Sequence, residues 1–230
     1  MENRKENLKR VQEKIYQAAK RAGRNPDEIT LLAVSKVFTP KDIEEVYQIG
    51  QRDFGESRAQ ELRDKKPVLA NDINWHFIGP LQSNKIKYVV PDAKLIHAVD
   101  SVKLAHSIAE YGLKKEEVPS ILIEINTSRE EAKHGFVMSE AVENCLEIAE
   151  INNLEVCGLM TMAPYTGDEK LIRTVFSSLK KLQQRLKQQT SGNSFDTLSM
   201  GMSGDFEIAI EEGSTIVRIG TAIFGERKKF

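Results

Sequence analysis

The sequence predicts a single α/β domain folded as a (β/α)8 barrel with an extra N-terminal helix. Three observations lead there. Eight short apolar, β-branched runs alternate with helix-like segments through 230 residues, about 29 residues per unit, the size of a compact βα repeat. The runs carry the pattern of strands buried on both faces, as parallel sheets require. The residues after the first run, Ser35-Lys36-Val37-Phe38, contain no glycine, so the Gly-rich nucleotide loop of a doubly wound open sheet is missing.

Taken in order, residues 1–23 read as a helix packed on the barrel, because Leu8, Val11, Ile15, Ala18, Ala19 and Ala22 recur at spacings of three and four. Gly23 ends it and Asn25-Pro26 marks the turn. The candidate strands are Thr30–Ser35, Arg52–Gly55, Asn74–Gly79, Lys94–Val99, Pro119–Asn126, Glu155–Met162, Thr197–Met200 and Thr215–Gly220, the second and seventh being the weakest. Helix starts stand between them. Thr39-Pro40 with Asp42 places a cap residue before a first-turn proline, and Ser57 with Gln60 has capping-box spacing. Asp168 opens a long helix with Leu171, Ile172, Val175, Phe176, Leu179 and Leu182 on one face. Residues 1–230 show no linker, low-complexity tract or internal repeat, so one domain is expected.

Composition narrows the function classes. Lys plus Arg is 33 against 34 Asp plus Glu, a formal net charge of −1, so there is no general attraction for nucleic acid or anionic lipid. Hydrophobic content of 40% and charged content of 29% describe an ordinary globular chain. Cys145 and Cys157 form no CxxC or metal-ligand spacing. The segment MENRKENLKR has no apolar core of a secretory signal, and no apolar run is long enough for a bilayer. A cytoplasmic, reduced protein is expected, with neither nucleic-acid nor membrane partners.

Barrel chemistry sits at the C-terminal ends of strands, and phosphate sites often follow the last two. The first strand ends in Ala33-Val34-Ser35-Lys36, which puts a lysine where apolar strand meets the mouth. Partial desolvation there frees a neutral amine as a nucleophile for an aldehyde, although a lysine at such a place can also simply cover apolar surface with its stem. The seventh strand runs into Ser199-Met200-Gly201-Met202-Ser203-Gly204-Asp205, which offers backbone N–H groups and hydroxyls to an anion. The eighth ends in Arg218-Ile219-Gly220-Thr221, where Gly220 permits close approach and Thr221 adds a hydroxyl. Together they make a phosphate cradle beside the strand-end lysine. His76 lies in Asn74–Lys85, a stretch with the only Trp and a polar loop after Gly79-Pro80. A lone strand histidine is more often a structural group than a catalyst, and no histidine spacing suggests a metal.

The stretches AVSK, FGES, WHFIGPLQSNK, KHGF, GLMTM, SMGMSGD and RIGTAIFG, in this order over essentially the whole chain, resemble the pyridoxal 5′-phosphate homeostasis protein family. WHFIGPLQSNK is its most specific signature. Members resemble the N-terminal barrel of alanine racemase, the fold-type III class of pyridoxal phosphate proteins. The resemblance implies that Lys36 is the Schiff-base lysine, that Ser203, Gly220 and Thr221 bind phosphate, that Met200 lies beside the cofactor, and that Arg218 faces the pyridine nitrogen. An arginine keeps its proton, so the ring nitrogen would stay unprotonated and the cofactor a weaker electron sink. The family usually has FGEN where this chain has Ser57, a hydroxyl too short to place an amide at the same point.

The resulting expectation is a pyridoxal 5′-phosphate-binding protein that holds, buffers or delivers the cofactor with little or no turnover. It would be monomeric, with pyridoxal phosphate-dependent apo-enzymes as possible recipients. The rival is an amino-acid racemase, which needs an acid/base on each face of the α-carbon. Lys36 could serve one face, and His76 is the residue best able to supply the other if it reached the mouth. The tyrosine of alanine racemase's C-terminal β-domain has no counterpart expected here. A phosphate-ester enzyme, the third reading, would leave Lys36 without a role.

Overall fold

The computed structural model describes residues 3–127, 134–190 and 195–226. Lys133 of the KHGF stretch and both chain ends of the predicted domain lie outside the described residues. Among the described residues there are nine parallel strands and eight α-helices: β1 (Thr30–Val34), β2 (Asp53–Glu56), β3 (Asn74–Phe77), β4 (Leu95–Val99), β5 (Ser120–Asn126), β6 (Phe136–Val137), β7 (Glu155–Met160), β8 (Thr197–Ser199) and β9 (Ile216–Ile219). The helices are α1 (Arg4–Arg21), α2 (Pro40–Tyr47), α3 (Ala59–Lys65), α4 (Val102–Leu113), α5 (Ala141–Ala149), α6 (Glu169–Gln189), α7 (Phe206–Glu211) and α8 (Thr221–Phe224). Hydrogen-bonded order runs β4-β3-β2-β1-β9-β8-β7-β5, and a β4–β5 pairing closes the sheet into an eight-stranded barrel. All eight strands expected from the sequence form the wall. The two-residue β6, which pairs with β5 outside the barrel circuit, is an addition.

Alternation along each strand sorts the side chains. Leu32, Leu95, Ala98, Leu122, Met160 and Ile216 fill the barrel interior. Ala33, Phe54, Trp75, Phe77, Ile121, Ile123, Leu159, Val217 and Ile219 face outward into the larger layer under the helices. A strand residue therefore meets either the lumen or the helix layer, and moving it one place exchanges the two.

Helix α1 packs its buried stripe, Leu8, Val11, Ile15, Ala18 and Ala19, across α7 and α8. Lys14 and Arg21 pair there with Glu207, and Arg21 also with Glu211. Arg173 joins Glu211 and Glu212, so this acidic pair is held by arginines on two elements. Arg4 similarly pairs with Glu45 and Asp42.

Two local expectations need correction. Ser57 does not cap α3: the cap residue is Arg58, with no side-chain hydrogen bond to the helix. Strand β2 runs to Glu56, and the Ser57 backbone is pressed against Gly79, where a Cβ would lie 2.2 Å from the Ser57 carbonyl oxygen. The helix can start only two residues later. The third unit also lacks an α-helix and has a 3-10 segment, Ser83–Tyr88, instead. Gly79-Pro80 and Pro91 bracket this segment, and each proline disfavours the helical conformation in the residue before it.

The Thr39 capping box, by contrast, forms in full: Asp42 N–H donates to Thr39 Oγ1 at 3.3 Å, and Thr39 N–H donates to Asp42 Oδ2 at 2.8 Å. Thr39→Ala should therefore cost about 1 kcal/mol in urea unfolding, whereas Ser57→Ala should cost less than about 0.5 kcal/mol. Equal losses for the two would contradict these cap assignments.

Candidate functional site

One cavity of about 310 Å³ opens at the C-terminal end of the barrel, and Val34, Lys36, Arg218, Ser203, Gly220 and Thr221 are among its lining residues. That volume is at the lower end for small-molecule sites, roughly 300–1,000 Å³. Lys36 stands two residues past β1, half-buried, between fully buried Ser35 and exposed Val37. The β1–β9 register, Ala33 against Ile219, sets the Lys36 segment beside Gly220-Thr221.

The Ser203 loop follows β8. Gly201 has φ +94°, and a Cβ on it would come within 2.5 Å of the Ala209 Cβ, so glycine is required for the loop to turn into α7. Asp205 Oδ1 accepts from Met202 N–H at 2.5 Å and closes the turn. Burial raises the Asp205 carboxyl above its ordinary pKa, opposed by the Met202 bond and by Arg218. Among the described residues, the backbone N–H groups of Ser203, Gly204 and Thr221 have no protein acceptor. With the Ser203 and Thr221 hydroxyls they form a donor-rich wall suited to an oxyanion.

Arg218 is buried beneath the cavity. Its Nη1 donates to Ser199 O and to Ser199 Oγ, both at 2.7 Å, and its Nη2 donates to Thr161 O at 3.0 Å. Burial pulls the guanidinium down to about 10, against the opposing pull of Asp205 and Glu124, so it stays charged at neutral pH. Three of its five N–H donors are engaged by these bonds.

A chain of polar groups continues from Arg218 through the lumen. His97 Nδ1 lies 2.9 Å from Ser199 Oγ, and His97 Nε2 lies 2.9 Å from His76 Nδ1. Burial, then His76 and Arg218, hold His97 well below its ordinary pKa, so it is neutral. A guanidinium only donates, so Ser199 Oγ accepts from Arg218 and can pass its own proton to His97 Nδ1. His97 Nε2–H then donates to His76 Nδ1. His76 Nε2 ends the chain 3.4 Å from Asp53 Oδ1, too poorly placed for a hydrogen bond.

The structure thus brings Lys36, Ser203, Arg218, Gly220 and Thr221 to one cavity. It places three other sequence candidates off that lining. Met200 is fully buried in the apolar layer outside the strands. Ser57 sits against Gly79, and His76 lies inside the barrel on His97. Sequence reading missed His97, Ser199 and Glu124. Alternation with Leu95 and Leu122 marks His97 and Glu124 as lumen-facing, and that signal could have found them. Among the described residues no His/Cys/Asp/Glu group could hold a metal, and no helix is long and apolar enough to cross a membrane.

Burial, with Asp100 adding repulsion, pushes Glu124 up to about 6. A carboxyl raised in the folded state binds its proton more tightly there than in the unfolded chain. Its stabilising contribution is complete below about pH 4.5 and is lost as pH rises through 6. The stability advantage of wild type over Glu124→Gln should therefore shrink by about 2 kcal/mol between pH 4.5 and 7.5, read from urea midpoints. A difference independent of pH would disprove the raised titration.

Known proteins share this architecture. The family model of the alanine racemase N-terminal domain matches residues 7–228. A pyridoxal phosphate homeostasis protein of Aquifex aeolicus is 44% identical over 224 residues, covering 97% of this chain and 98% of that one. Among solved structures, an unknown protein from Bifidobacterium adolescentis superposes with TM-score 0.90 at 36% identity, covering 96% of this chain and 94% of that chain. PipY of Synechococcus elongatus, solved with PLP bound, gives TM-score 0.82 at 31% identity, covering 92% of this chain and 100% of that chain. The chain belongs to the alanine racemase N-terminal domain family and, within it, to the pyridoxal phosphate homeostasis proteins.

Proposed function

We propose that this protein binds pyridoxal 5′-phosphate and holds, buffers or delivers it in the cytoplasm, as a monomer with little or no turnover, to apo-enzymes that need it. The observation that carries the reading is the meeting of an amine, a guanidinium and an oxyanion-binding wall in one cavity: Lys36, Arg218, and Ser203 with Thr221. The names of the relatives and the PLP-bound neighbour support it.

The donor set fits that cofactor. Ser203, Thr221 and the unengaged N–H groups of Ser203, Gly204 and Thr221 hold the phosphate, and the Lys36 amine holds the aldehyde end. When bound, the cofactor supplies an aldehyde and an electron-withdrawing ring. Arg218 donates hydrogen bonds into the cavity floor and does not yield its proton, which leaves the ring a weak electron sink and suits a carrier. Gly220 keeps the wall low, and Met200 backs the Ser203 loop from the helix layer.

Borohydride reduction followed by peptide mapping should place the cofactor on Lys36, and Lys36→Ala should abolish the visible absorption of the lysine-bound form without unfolding the chain. Ser203→Ala and Thr221→Ala should each weaken retention about 10- to 150-fold, the equivalent of roughly 1.5–3 kcal/mol for a hydrogen bond to a charged group. Attachment to another lysine, or unchanged affinity in both hydroxyl variants, would overturn the site.

A racemase would need a second acid/base on the opposite face of the substrate. Tyr165 and Asp205 are the titratable residues that line the cavity besides Lys36 and Arg218, and Asp205 is committed to Met202 N–H. Incubation with L-alanine in deuterated water should yield neither D-alanine nor α-deuterium. Robust exchange, lost in Tyr165→Phe or His76→Phe with cofactor still bound, would replace the carrier with a racemase.

A further inference from the structure

The FGES stretch supplies a buried carboxylate that the cavity does not use. Glu56 ends β2 and its side chain turns outward, away from the lumen, where it meets Ser35 and Lys65. Ser35 Oγ donates to Glu56 Oε1 at 2.6 Å. Lys65 Nζ donates to Glu56 Oε1 at 2.8 Å, to Glu61 Oε2 at 2.7 Å and to Ser35 O at 3.1 Å, which uses all three ammonium protons. Glu61 Oε2 also accepts from Val37 N–H at 2.8 Å. Side-chain exposure is 0% at Glu56 and 8% at Lys65, so these charges lie inside the packed layer between α3 and the barrel wall.

The cluster grips the chain on both sides of Lys36. Ser35 is fixed at its hydroxyl, its carbonyl and its N–H, the last donating to Gly55 O at 3.0 Å. Val37 is fixed at its N–H, although its side chain is exposed. Its φ of +68° is a left-handed conformation that a β-branched residue rarely adopts unless its surroundings impose it. Two bonds impose it: Phe38 N–H donates to Ser35 O at 3.1 Å and closes a turn over Lys36-Val37, and the Glu61 carboxylate holds the Val37 N–H at 2.8 Å. None of Ser35, Glu56, Glu61 or Lys65 lines the cavity.

We infer that Glu56, Lys65 and Glu61 are positioning residues for Lys36: a charged clamp outside the barrel wall that fixes the Ser35-Lys36-Val37 backbone so that the amine stands at the cavity. The inference rests on the proposed role of Lys36 in holding the cofactor. A purely structural contact would be served as well by apolar side chains, since a buried ion cluster is seldom the more stable choice. What apolar groups cannot supply is directional bonding to Ser35 and Val37. Glu56 Oε2 has no partner, and burial pushes this carboxyl up to about 7 against the pull of Lys65 and Ser35. The groups facing it are Lys65, Ser35 and Glu61, and Arg58 lies 3.7 Å from Glu61 on the exposed side. The clamp therefore gains or loses one proton near neutrality.

The test uses the full chain, pyridoxal 5′-phosphate as the probe, and the double variant Glu56→Leu with Lys65→Met, which removes the two most buried charges together, leaves the partly exposed Glu61 to Arg58 and the Val37 N–H, and should fold. Glu61→Ala is the milder companion. Three readings are taken: the rate at which visible absorption of the lysine-bound cofactor develops, hydrogen exchange at the Val37 amide, and binding of inorganic phosphate. Both variants should capture the cofactor about 10- to 100-fold more slowly, as misplacement of a reacting group predicts, with the Val37 amide deprotected and phosphate binding unchanged. Glu56→Gln should retain most of the rate and lose any change of rate with pH around 7. Folded variants that capture as fast as wild type would overturn the clamp alone. An equal loss of phosphate binding would overturn it too, as a sign of general collapse. Wild type that captures nothing at Lys36 would remove both the cofactor reading and the clamp.

Discussion

The Arg218 guanidinium lies in the floor of the barrel mouth, and a buried cation must have its acceptors built around it. Thr161 O, at the end of β7, and Ser199 O and Oγ, on β8, supply them. One side chain of β9 thus ties together the ends of three neighbouring strands. Glu124 and Asp205 add opposite charge, and their own carboxyls are raised by burial. Burial above all, with His76 and then Arg218 beside it, keeps His97 neutral, and it completes the hydrogen bonding of Ser199. The polar lumen is a consequence of placing that arginine there.

The barrel wall separates two jobs. On its inner side, Arg218 and Lys36 meet the cavity. On its outer side, Ser35, Glu56 and Lys65 hold the strand end that carries Lys36. Ser35 and Lys36 are adjacent in the chain and serve opposite faces, which is what the two-residue period of an extended segment provides. The same alternation makes Ser199 a lumen group while Met200 supports the loop from the helix layer. Function and support are interleaved residue by residue.

Much of this was legible in the chain. The β-branched runs marked every barrel strand within a few residues, because sequence period and burial pattern are local properties. The Thr39 and Asp168 caps were readable for the same reason: each side chain bonds an N–H two or three residues away. Lys36, Ser203, Arg218, Gly220 and Thr221 stood out because barrel chemistry collects at strand ends, and the family resemblance gave them roles. The Ser57–Gln60 spacing misled because the capping rule takes no account of the Gly79 backbone packed against Ser57. The missing third α-helix was signalled by Gly79-Pro80 and Pro91, which bracket the 3-10 segment.

Local sequence set the order of the eight barrel strands and placed the lysine and the glycine-rich loops at their ends. Tertiary structure alone decided which polar groups meet. His76 and His97 are 21 residues apart, His97 and Ser199 are 102 apart, and Arg218 reaches Thr161 across 57. Such contacts depend on strand register and on closure of the sheet through β4 and β5, which no local pattern encodes. The Glu56 clamp has the same origin, since α3 must fold back over β1 and β2 before Lys65 can reach Ser35, 30 residues earlier. Local signals fix what each segment becomes, and only the closed barrel fixes what each buried charge faces.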